Sequence, residues 1–264
     1  MADFLEEVTV KTLQRLQVQK AQWSLEDLTK RIGKEKSRRS FAKALHKSGG
    51  VALIAEIKQA SPSSGLIKKE RDIARRIHAY AKGGAAALSI LTEEDYFHGS
   101  TNMLETARTL TDLPLLRKDF IIDPYQIVES KALGADAILL IASLLVGPTL
   151  RDFITQAHAL GLDALVEVHD ENDLDQALQA QASVIGINNR NLRTLRVDTS
   201  NAERLLSKAP KQGITFVVES GIKSPSELPR LKLLGAHAVL IGESLMRAED
   251  PEKLTKEFVQ ACRK

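Results

Sequence analysis

The stretch that decides the fold is Val51-Ala-Leu-Ile-Ala-Glu-Ile-Lys58, an apolar run that carries Glu56 and stops on Lys58. The same design recurs along the chain, where largely apolar runs stop on ionisable or amide side chains: 113–117 before Lys118, 165–166 before Glu167, 184–187 before Asn188, and 214–218 before Glu219 and Ser220. Burying a charged group is costly unless that group is paired or used. The pattern therefore predicts several strands that deliver reactive groups to one rim, which is the geometry of a parallel barrel enzyme.

The size and charge of the chain fit a globular enzyme. Its 264 residues are 43% hydrophobic and carry a net charge of +3, and α/β barrels of roughly 250 residues commonly form one domain. Such a weak positive charge does not indicate nucleic-acid binding, but it suits a small ligand that bears a phosphate. We expect a monomer whose partner is a phosphorylated small molecule.

The cysteine count and the N-terminal residues indicate the cellular compartment. Cys262 is the only cysteine, so no disulfide can form within one chain, which fits a reducing cytoplasm. The opening residues Met1-Ala-Asp-Phe-Leu-Glu-Glu lack the pattern of a signal peptide. No run approaches the roughly 18 apolar residues of a membrane span. We expect a cytoplasmic protein with neither a membrane nor a nucleic-acid partner.

From Val51 onward, strand-like and helical stretches alternate. Strand-like runs lie near residues 51–58, 86–91, 114–118, 136–141, 164–168, 184–188, 214–219 and 237–241, and helical stretches include 73–82, 124–133, 150–160 and 172–179. A transition from glycine into a strand repeats at Gly83, Gly134 and Gly235. The eight βα units predict an α/β fold, a single (βα)8 TIM barrel. An open doubly wound sheet is the structural rival, but no Gly-x-Gly-x-x-Gly follows the first strand.

Residues 1–49 precede the first predicted strand. The stretch 4–49 has a helical pattern with an imperfect apolar stripe, and Ser24 can cap a helix because Asp27 follows three residues later. A basic cluster could bind an anion or form a solvated helix face: Lys34, Lys36, Arg38, Arg39 and Lys43. We predict that residues 1–49 form an N-terminal helical extension covering one end of the barrel, and that residues 50–264 form the catalytic barrel within the same structural domain.

Two strand ends carry lysines that could do chemistry. Glu56 and Lys58 are two residues apart and share a face, so an inward orientation places opposite charges at the top of the barrel, either as reactive groups or as a structural ion pair. In the third strand either Arg117 or Lys118 faces inward, and the sequence does not decide between them. An inward Lys118 could protonate a carbonyl oxygen or form a Schiff base, whereas a lysine facing solvent would do neither.

Other strand ends carry carboxylates and amides. Glu167 lies between two valines in a very apolar run, which indicates an acid/base with a raised pKa unless the strand register differs. Asn188 and Arg190 share a face and offer an amide and an anion clamp, although this asparagine-rich segment is also typical of a turn.

The last two predicted strands end in glycine-containing segments. Glu219-Ser220-Gly221 and Gly242-Glu243-Ser244 allow backbone N–H groups to approach an anion, and barrels often hold a phosphate after strands seven and eight. We expect Glu243 to contribute only its backbone N–H, with its side chain turned away. The histidines (46, 78, 98, 158, 169 and 237) show no metal-like spacing, so we interpret them as surface or core residues and expect no cofactor.

Taken together, these motifs closely resemble the indole-3-glycerol phosphate synthase family of tryptophan biosynthesis. The resemblance covers nearly the whole chain in the right order, through these segments: Ala55-Glu-Ile-Lys-Gln-Ala-Ser-Pro-Ser-Ser-Gly, Arg117-Lys-Asp-Phe-Ile-Ile-Asp-Pro-Tyr-Gln, Leu165-Val-Glu-Val-His, Gly186-Ile-Asn-Asn-Arg-Asn-Leu, Val218-Glu-Ser-Gly-Ile and Ile241-Gly-Glu-Ser-Leu-Met-Arg.

The resemblance implies a (βα)8 barrel that converts 1-(o-carboxyphenylamino)-1-deoxyribulose 5-phosphate into indole-3-glycerol phosphate, carbon dioxide and water without a cofactor. It implies that Lys118 is the general acid in ring closure and that Glu167 is an acid/base in dehydration, with Lys58 assisting proton transfer. The residues implied to position the substrate are Glu56, Asn188, Glu219 and Ser220. The phosphate would be held by Lys58, Gly221, Gly242 and Glu243, with Ser61 and Arg190 nearby, and the aromatic ring by Phe97, Phe120, Leu139 and Leu192.

Two other functions compete with this interpretation. A phosphoribosylanthranilate isomerase shares the barrel and the phosphate site, but that family uses a cysteine at a strand end, whereas Cys262 lies near the end of this chain. A barrel without catalytic activity could serve as a scaffold, but it would gain nothing from these buried charges.

Overall fold

The computed structural model describes residues 4–32, 39–46, 50–68, 72–210 and 212–263. Eight parallel strands close into a barrel in chain order, and the last strand pairs with the first. The strands are β1 Ala52–Ile57, β2 Ala87–Leu91, β3 Leu115–Lys118, β4 Ala137–Ile141, β5 Asp163–Val168, β6 Val184–Asn188, β7 Thr215–Glu219 and β8 Ala238–Ile241. The prediction of a single (βα)8 TIM barrel is therefore confirmed.

Helices precede the barrel, connect its strands and end the chain. They are α1 Phe4–Gln22, α2 Leu25–Arg31, α3 Phe41–His46, α4 Ile73–Gly83, α5 Thr101–Leu110, α6 Pro124–Ala132, α7 Pro148–Ala159, α8 Glu171–Gln179, α9 Ser200–Lys208, α10 Leu228–Leu234, α11 Glu243–Arg247 and α12 Pro251–Arg263. The helical stretches predicted near 73–82, 124–133, 150–160 and 172–179 are present, with ends shifted by a residue or two. No helix among the described residues is long and apolar enough to cross a membrane.

Local sequence signals set several helix ends. Ser24 and Asp27 form the predicted capping box of α2, in which the Ser24 hydroxyl accepts the Asp27 N–H at 3.1 Å. The helix-to-strand transitions use left-handed glycines, with φ of 86° at Gly134 and 100° at Gly235. In the first of the three transitions, the left-handed residue is Gly84 rather than Gly83, which packs against Thr255 instead.

The side chains of the strands alternate between two apolar layers. One layer fills the barrel interior and includes Ile54, Leu116, Leu139, Leu165 and Leu240. The other lies between the strands and the surrounding helices, and it holds the neighbouring positions of the same strands, such as 53, 115, 138 and 166. Burial on both faces explains why the strands appear in the sequence as continuous apolar runs rather than alternating ones.

The described parts of the N-terminal extension contact both ends of the barrel. At the amino ends of the strands, the Asp163 carboxylate accepts the Ser40 hydroxyl at 3.1 Å and the Ala42 N–H at 3.0 Å, which anchors α3. At the carboxyl ends, Arg15 of α1 pairs with buried Glu93 at 2.8 Å. The sequence predicted that the extension covers one end of the barrel, whereas its described parts contact both ends. Within the predicted basic cluster Arg39 pairs with Asp112 at 3.0 Å, whereas Lys34, Lys36 and Arg38 lie outside the described residues.

Candidate active site

The register of β3 decides which of its side chains point into the barrel. Leu116 belongs to the interior apolar layer, so Lys118, two residues on, faces the same way. Arg117 faces outward, where its side chain is 1% exposed and donates to Glu129 at 2.7 Å. The sequence left open whether Lys118 or Arg117 faces the barrel interior, and the structure shows that it is Lys118.

The Lys118 ammonium group lies between two buried glutamates at the carboxyl ends of the strands. Its Nζ donates to Glu219 Oε2 at 2.6 Å and to Glu167 Oε2 at 3.0 Å. The side chains of both glutamates are only 2% exposed. A cation held by two carboxylates in a water-poor site has a fixed position and can donate a proton to a ligand placed beside it.

The charges of this cluster shift one another's proton affinities. Burial opposes the charged form of Lys118, but Glu167, Glu219 and Glu56 outweigh it and hold the pKa of Lys118 well above its usual range. Burial raises the pKa of Glu219 to about 7, against the attraction of Lys118 and with the help of the Glu167 charge. The cluster therefore combines a lysine that stays protonated, Lys118, with a carboxyl group that gains or loses a proton near neutral pH, that of Glu219.

The pKa of Glu167 shifts in the opposite direction to that of Glu219. Burial alone would raise the pKa of this carboxyl group, but Lys118, His169 and the Asn188 amide hold it well below its usual range. The apolar run predicted a raised pKa for Glu167. This prediction is wrong, because the fold brings the cations Lys118 and His169 to the carboxylate. Glu167 is thus an ionised carboxylate, able to accept a proton in the cavity.

A second lysine–glutamate pair lies across the barrel mouth. Lys58 Nζ is 2.7 Å from Glu56 Oε1, and the other Glu56 oxygen accepts the Ser89 hydroxyl at 3.4 Å. The Lys58 side chain is 18% exposed, whereas that of Glu56 is 2% exposed. The two residues therefore face inward, and the ammonium group reaches the cavity.

Two glycines make room for these carboxylates. A Cβ on Gly186 would lie 2.2 Å from Glu219 Oε1, and a Cβ on Gly242 would lie 2.3 Å from Glu56 Oε1. Real Cβ atoms essentially never come so close to another atom, so any larger residue would displace a carboxylate. Gly186 lies within β6 and Gly242 directly follows β8, and a glycine within a strand is a signal in the sequence for close approach of a functional group.

The predicted phosphate site lies at the same mouth, on the side of the last two strands. Gly221, Gly242 and Ser61 line the cavity, and Ser220 and Gly221 both have left-handed backbones, with φ of 65° and 82°. This backbone turns sharply after β7, and backbone turns can aim successive N–H groups at an anion.

Arg190 and Glu243 flank this part of the cavity. Arg190 Nη1 donates to Ser63 at 2.7 Å and to the Leu195 carbonyl at 2.9 Å. The Glu243 carboxylate accepts from Arg247 Nε at 3.0 Å and from the Ser64 hydroxyl at 3.1 Å. The Glu243 carboxylate is therefore bound by other side chains, and the guanidinium group of Arg190 lies at the mouth of the cavity.

Apolar side chains also line the cavity and form a wall. The ring centroids of Phe97 and Phe120 are 6.3 Å apart, and those of Phe4 and Phe120 are 6.1 Å apart. Leu139 and Leu192 line the same cavity. A flat aromatic ligand fits such a wall, with its polar substituents directed at the lysines.

All the site residues predicted from the sequence line this one cavity. Residues that were not predicted also line it, among them Phe4, Glu93, Leu195 and Leu240. Phe4 gives no signal in the sequence, because it lies on a helix far from the barrel motifs. Glu93 follows β2 in an acidic pair, and a buried carboxylate there could have been suspected from the strand-end pattern alone.

The fold and the site define a class: a barrel enzyme whose strand ends carry lysines and glutamates suited to acid–base chemistry on a phosphorylated ligand. Comparison with known proteins gives the family. The sequence profile described as "Indole-3-glycerol phosphate synthase" matches residues 5–258, and the chain belongs to this family.

Relatives of that name align along most of the chain. The protein from Desulfosudis oleivorans is 45% identical over 267 residues, covering 98% of this chain and 99% of the relative. The protein from Carboxydothermus hydrogenoformans is 49% identical over 205 residues, or 78% of each chain. Among solved structures, 3-hexulose-6-phosphate synthase from Salmonella typhimurium has a TM-score of 0.65 at 14% identity, covering 80% of this chain and 98% of that one. This last likeness supports the barrel fold alone.

Proposed function

We propose that this chain is a carboxy-lyase of tryptophan biosynthesis that closes an indole ring. Its substrate is 1-(o-carboxyphenylamino)-1-deoxyribulose 5-phosphate, and its products are indole-3-glycerol phosphate, carbon dioxide and water. The observation that carries the proposal is the Lys118 ammonium group, held within 3.0 Å of both Glu167 and Glu219 in the cavity. Ring closure and dehydration both need a proton donor or acceptor at this place.

The substrate would bind with its phosphate and its ring at opposite sides of the mouth. Lys58, the backbone of Gly221 and the N–H groups of Gly242 and Glu243 would hold the phosphate, with Ser61 and Arg190 beside it. The aromatic ring would pack on the wall formed by Phe97, Phe120, Leu139 and Leu192. In this orientation the ribulose carbonyl would lie between the two lysines.

Ring closure would be the step that uses Lys118. The aromatic carbon that bears the carboxylate attacks the carbonyl carbon, and the carbonyl electron pair moves onto oxygen. Lys118 donates its proton to that oxygen, since the forming alkoxide is basic enough to take it even from a lysine whose pKa is raised. Carbon dioxide then leaves, and its bonding electrons return to the ring, which regains aromaticity.

Dehydration would be the step that uses Glu167. The new hydroxyl group takes up a second proton, with the assistance of Lys58, and leaves as water. Glu167 accepts the proton from the carbon between the nitrogen and the former carbonyl, so that the double bond of the indole forms. Two protons are taken up and one is released, which balances the carboxylate that leaves as neutral carbon dioxide. Glu56, Asn188, Glu219 and Ser220 would position the substrate and tune the lysines.

The finer organisation of the molecule is also part of the proposal. We assign residues 1–49 to a helical extension and residues 50–264 to the catalytic barrel of one structural domain, because Phe4 of the extension lines the cavity. One chain supplies all the proposed site residues, which supports a monomer. The only cysteine, Cys262, is buried and unpaired, which supports a reducing cytoplasm.

Fluorescence of the indole product tests the proposal. Purified protein mixed with the carboxyphenylamino-deoxyribulose phosphate is expected to produce indole fluorescence and one carbon dioxide per turnover. A folded protein that yields neither, as judged by circular dichroism, contradicts the proposal. Isomerisation of phosphoribosylanthranilate under the same conditions would favour the isomerase.

A further inference from the structure

His169 lies directly behind the carboxylate of Glu167. Its Nε2 is 3.2 Å from Glu167 Oε1, whereas Lys118 binds the other oxygen, Oε2, at 3.0 Å. The imidazole side chain is 11% exposed. Glu167 therefore has one cation on the cavity side and one titratable ring on the far side.

The imidazole ring and its backbone are both held in place. Nδ1 is 3.3 Å from Asp173 Oδ2, and the same oxygen accepts the His169 backbone N–H at 2.9 Å. Asp173 is itself buried and fixed, since its own N–H donates to the Asp170 cap of α8 at 2.9 Å. Asn201 donates to the His169 carbonyl at 3.1 Å. These contacts leave the ring little freedom to turn away from Glu167.

The two flanking carboxylates determine the charge of this ring. If His169 were neutral with its proton on Nδ1, the Nε2 lone pair would face the lone pairs of Glu167. A second proton turns this repulsion into an ion pair. Burial opposes the charged ring, but Asp173 and Glu167 outweigh it and raise the pKa of His169 to about 9. Other charged residues near this segment are Asp170, the cap of α8, and Glu171, which pairs with Arg204 and Lys208 of α9.

We propose that His169 is a positioning residue: as an imidazolium held by Asp173, it fixes the orientation and the negative charge of Glu167 opposite Lys118. This role rests on the function proposed above. A carboxylate with a positive charge beside each oxygen is favoured in one orientation, and it stays ionised when Lys118 engages the substrate. The sequence contains a signal for this arrangement, because His169 lies two residues after Glu167 and side chains two apart in a strand point to the same face.

A pH profile distinguishes positioning from mere packing. His169→Gln retains an amide donor but removes the charge, so the acidic limb of the kcat profile is expected to move up by about one pH unit. Asp173→Asn is expected to move it in the same direction, while KM changes less than about twofold in both variants. Exposed His158 supplies the matched control, His158→Gln, with an unchanged profile. An unshifted limb in folded His169→Gln and in a second variant, His169→Asn, would overturn the proposal.

A titration by NMR tests the same pairing without turnover. In the wild-type protein the His169 ring is expected to titrate near pH 9, and in Glu167→Gln its midpoint is expected to fall because the ion pair is lost. If the protein forms no indole but the midpoint depends on Glu167, the proposed function fails while the pairing stands. A His169 ring that titrates alike in the two proteins overturns the positioning role, even in an active enzyme.

Discussion

Gly186→Ala is expected to disarrange the charged cluster without removing a charged group. Gly186 lies in β6, and a Cβ on it would be 2.2 Å from Glu219 Oε1 and 3.3 Å from Leu165 Cδ1. Ordinary contacts begin at 3.4 Å, so the carboxylate oxygen must move by about 1 Å. Glu219 is the group that must move, because the strand backbone is fixed by pairing on both sides.

The size of the effect follows from the bond that is lost. Glu219 Oε2 accepts from Lys118 at 2.6 Å, and a shift of about 1 Å stretches this contact beyond hydrogen-bond range. Hydrogen bonds to charged groups contribute about 1.5–3 kcal/mol, which corresponds to a loss of about 10- to 150-fold in kcat/KM. Thermal stability is expected to change little, since a flexible carboxylate absorbs the clash and alanine restricts the unfolded chain more than glycine does.

Steady-state indole fluorescence measures kcat/KM, and thermal unfolding of the same preparation measures stability. Gly235→Ala is the matched control: its φ is 100° with no neighbouring atom within 4 Å, so it strains the backbone by about 1–2 kcal/mol and leaves kcat/KM unchanged. Wild-type kcat/KM in Gly186→Ala would refute the reasoning. So would a loss of activity that only follows a loss of stability.

Three further substitutions test other parts of the account. Arg190→Gln is expected to raise KM roughly tenfold with a smaller effect on kcat, because the guanidinium group lines the cavity beside the residues proposed to hold the phosphate; steady-state kinetics measures KM and kcat separately. Arg117→Met is expected to cost about 3–5 kcal/mol in urea unfolding, since Glu129 would stay buried without its cation. His169→Gln is expected to destabilise most below pH 6.5 and hardly at all above about pH 9. Folding raises the pKa of His169 from 6.5 to about 9, so its stabilisation, at most about 3 kcal/mol, is complete below the lower value and lost as pH rises through the upper one.

Much of the fold could be predicted because the physics behind it is local. Burial on both faces makes each strand an apolar run, and the chain reveals where that run stops. Strand ends such as Glu167 and Asn188 are then brought together by the closure of the barrel, which requires no knowledge of particular contacts. For the same reason the predicted site residues could be assigned to one rim without coordinates.

What could not be predicted depends on contacts between distant segments. Alternation along β3 gives two sets of side chains, and only packing against other strands selects Lys118 over Arg117 for the interior. Phe4 reaches the cavity through the docking of α1, and nothing in its local sequence indicates this. The low pKa of Glu167 likewise needs the cations that surround it, whereas the apolar run alone suggested the opposite shift.

The central claim is that Lys118 donates the proton in ring closure, and Lys118→Met tests it most directly. The turnover number is measured by indole fluorescence at saturating substrate, with Lys253→Met, a change at an exposed lysine, as the control. We expect a loss of about 10²–10⁴-fold in kcat for Lys118→Met, with KM near that of the wild type and full activity in the control. A folded Lys118→Met protein that turns over within a few-fold of the wild type would show that Lys118 is not the proton donor.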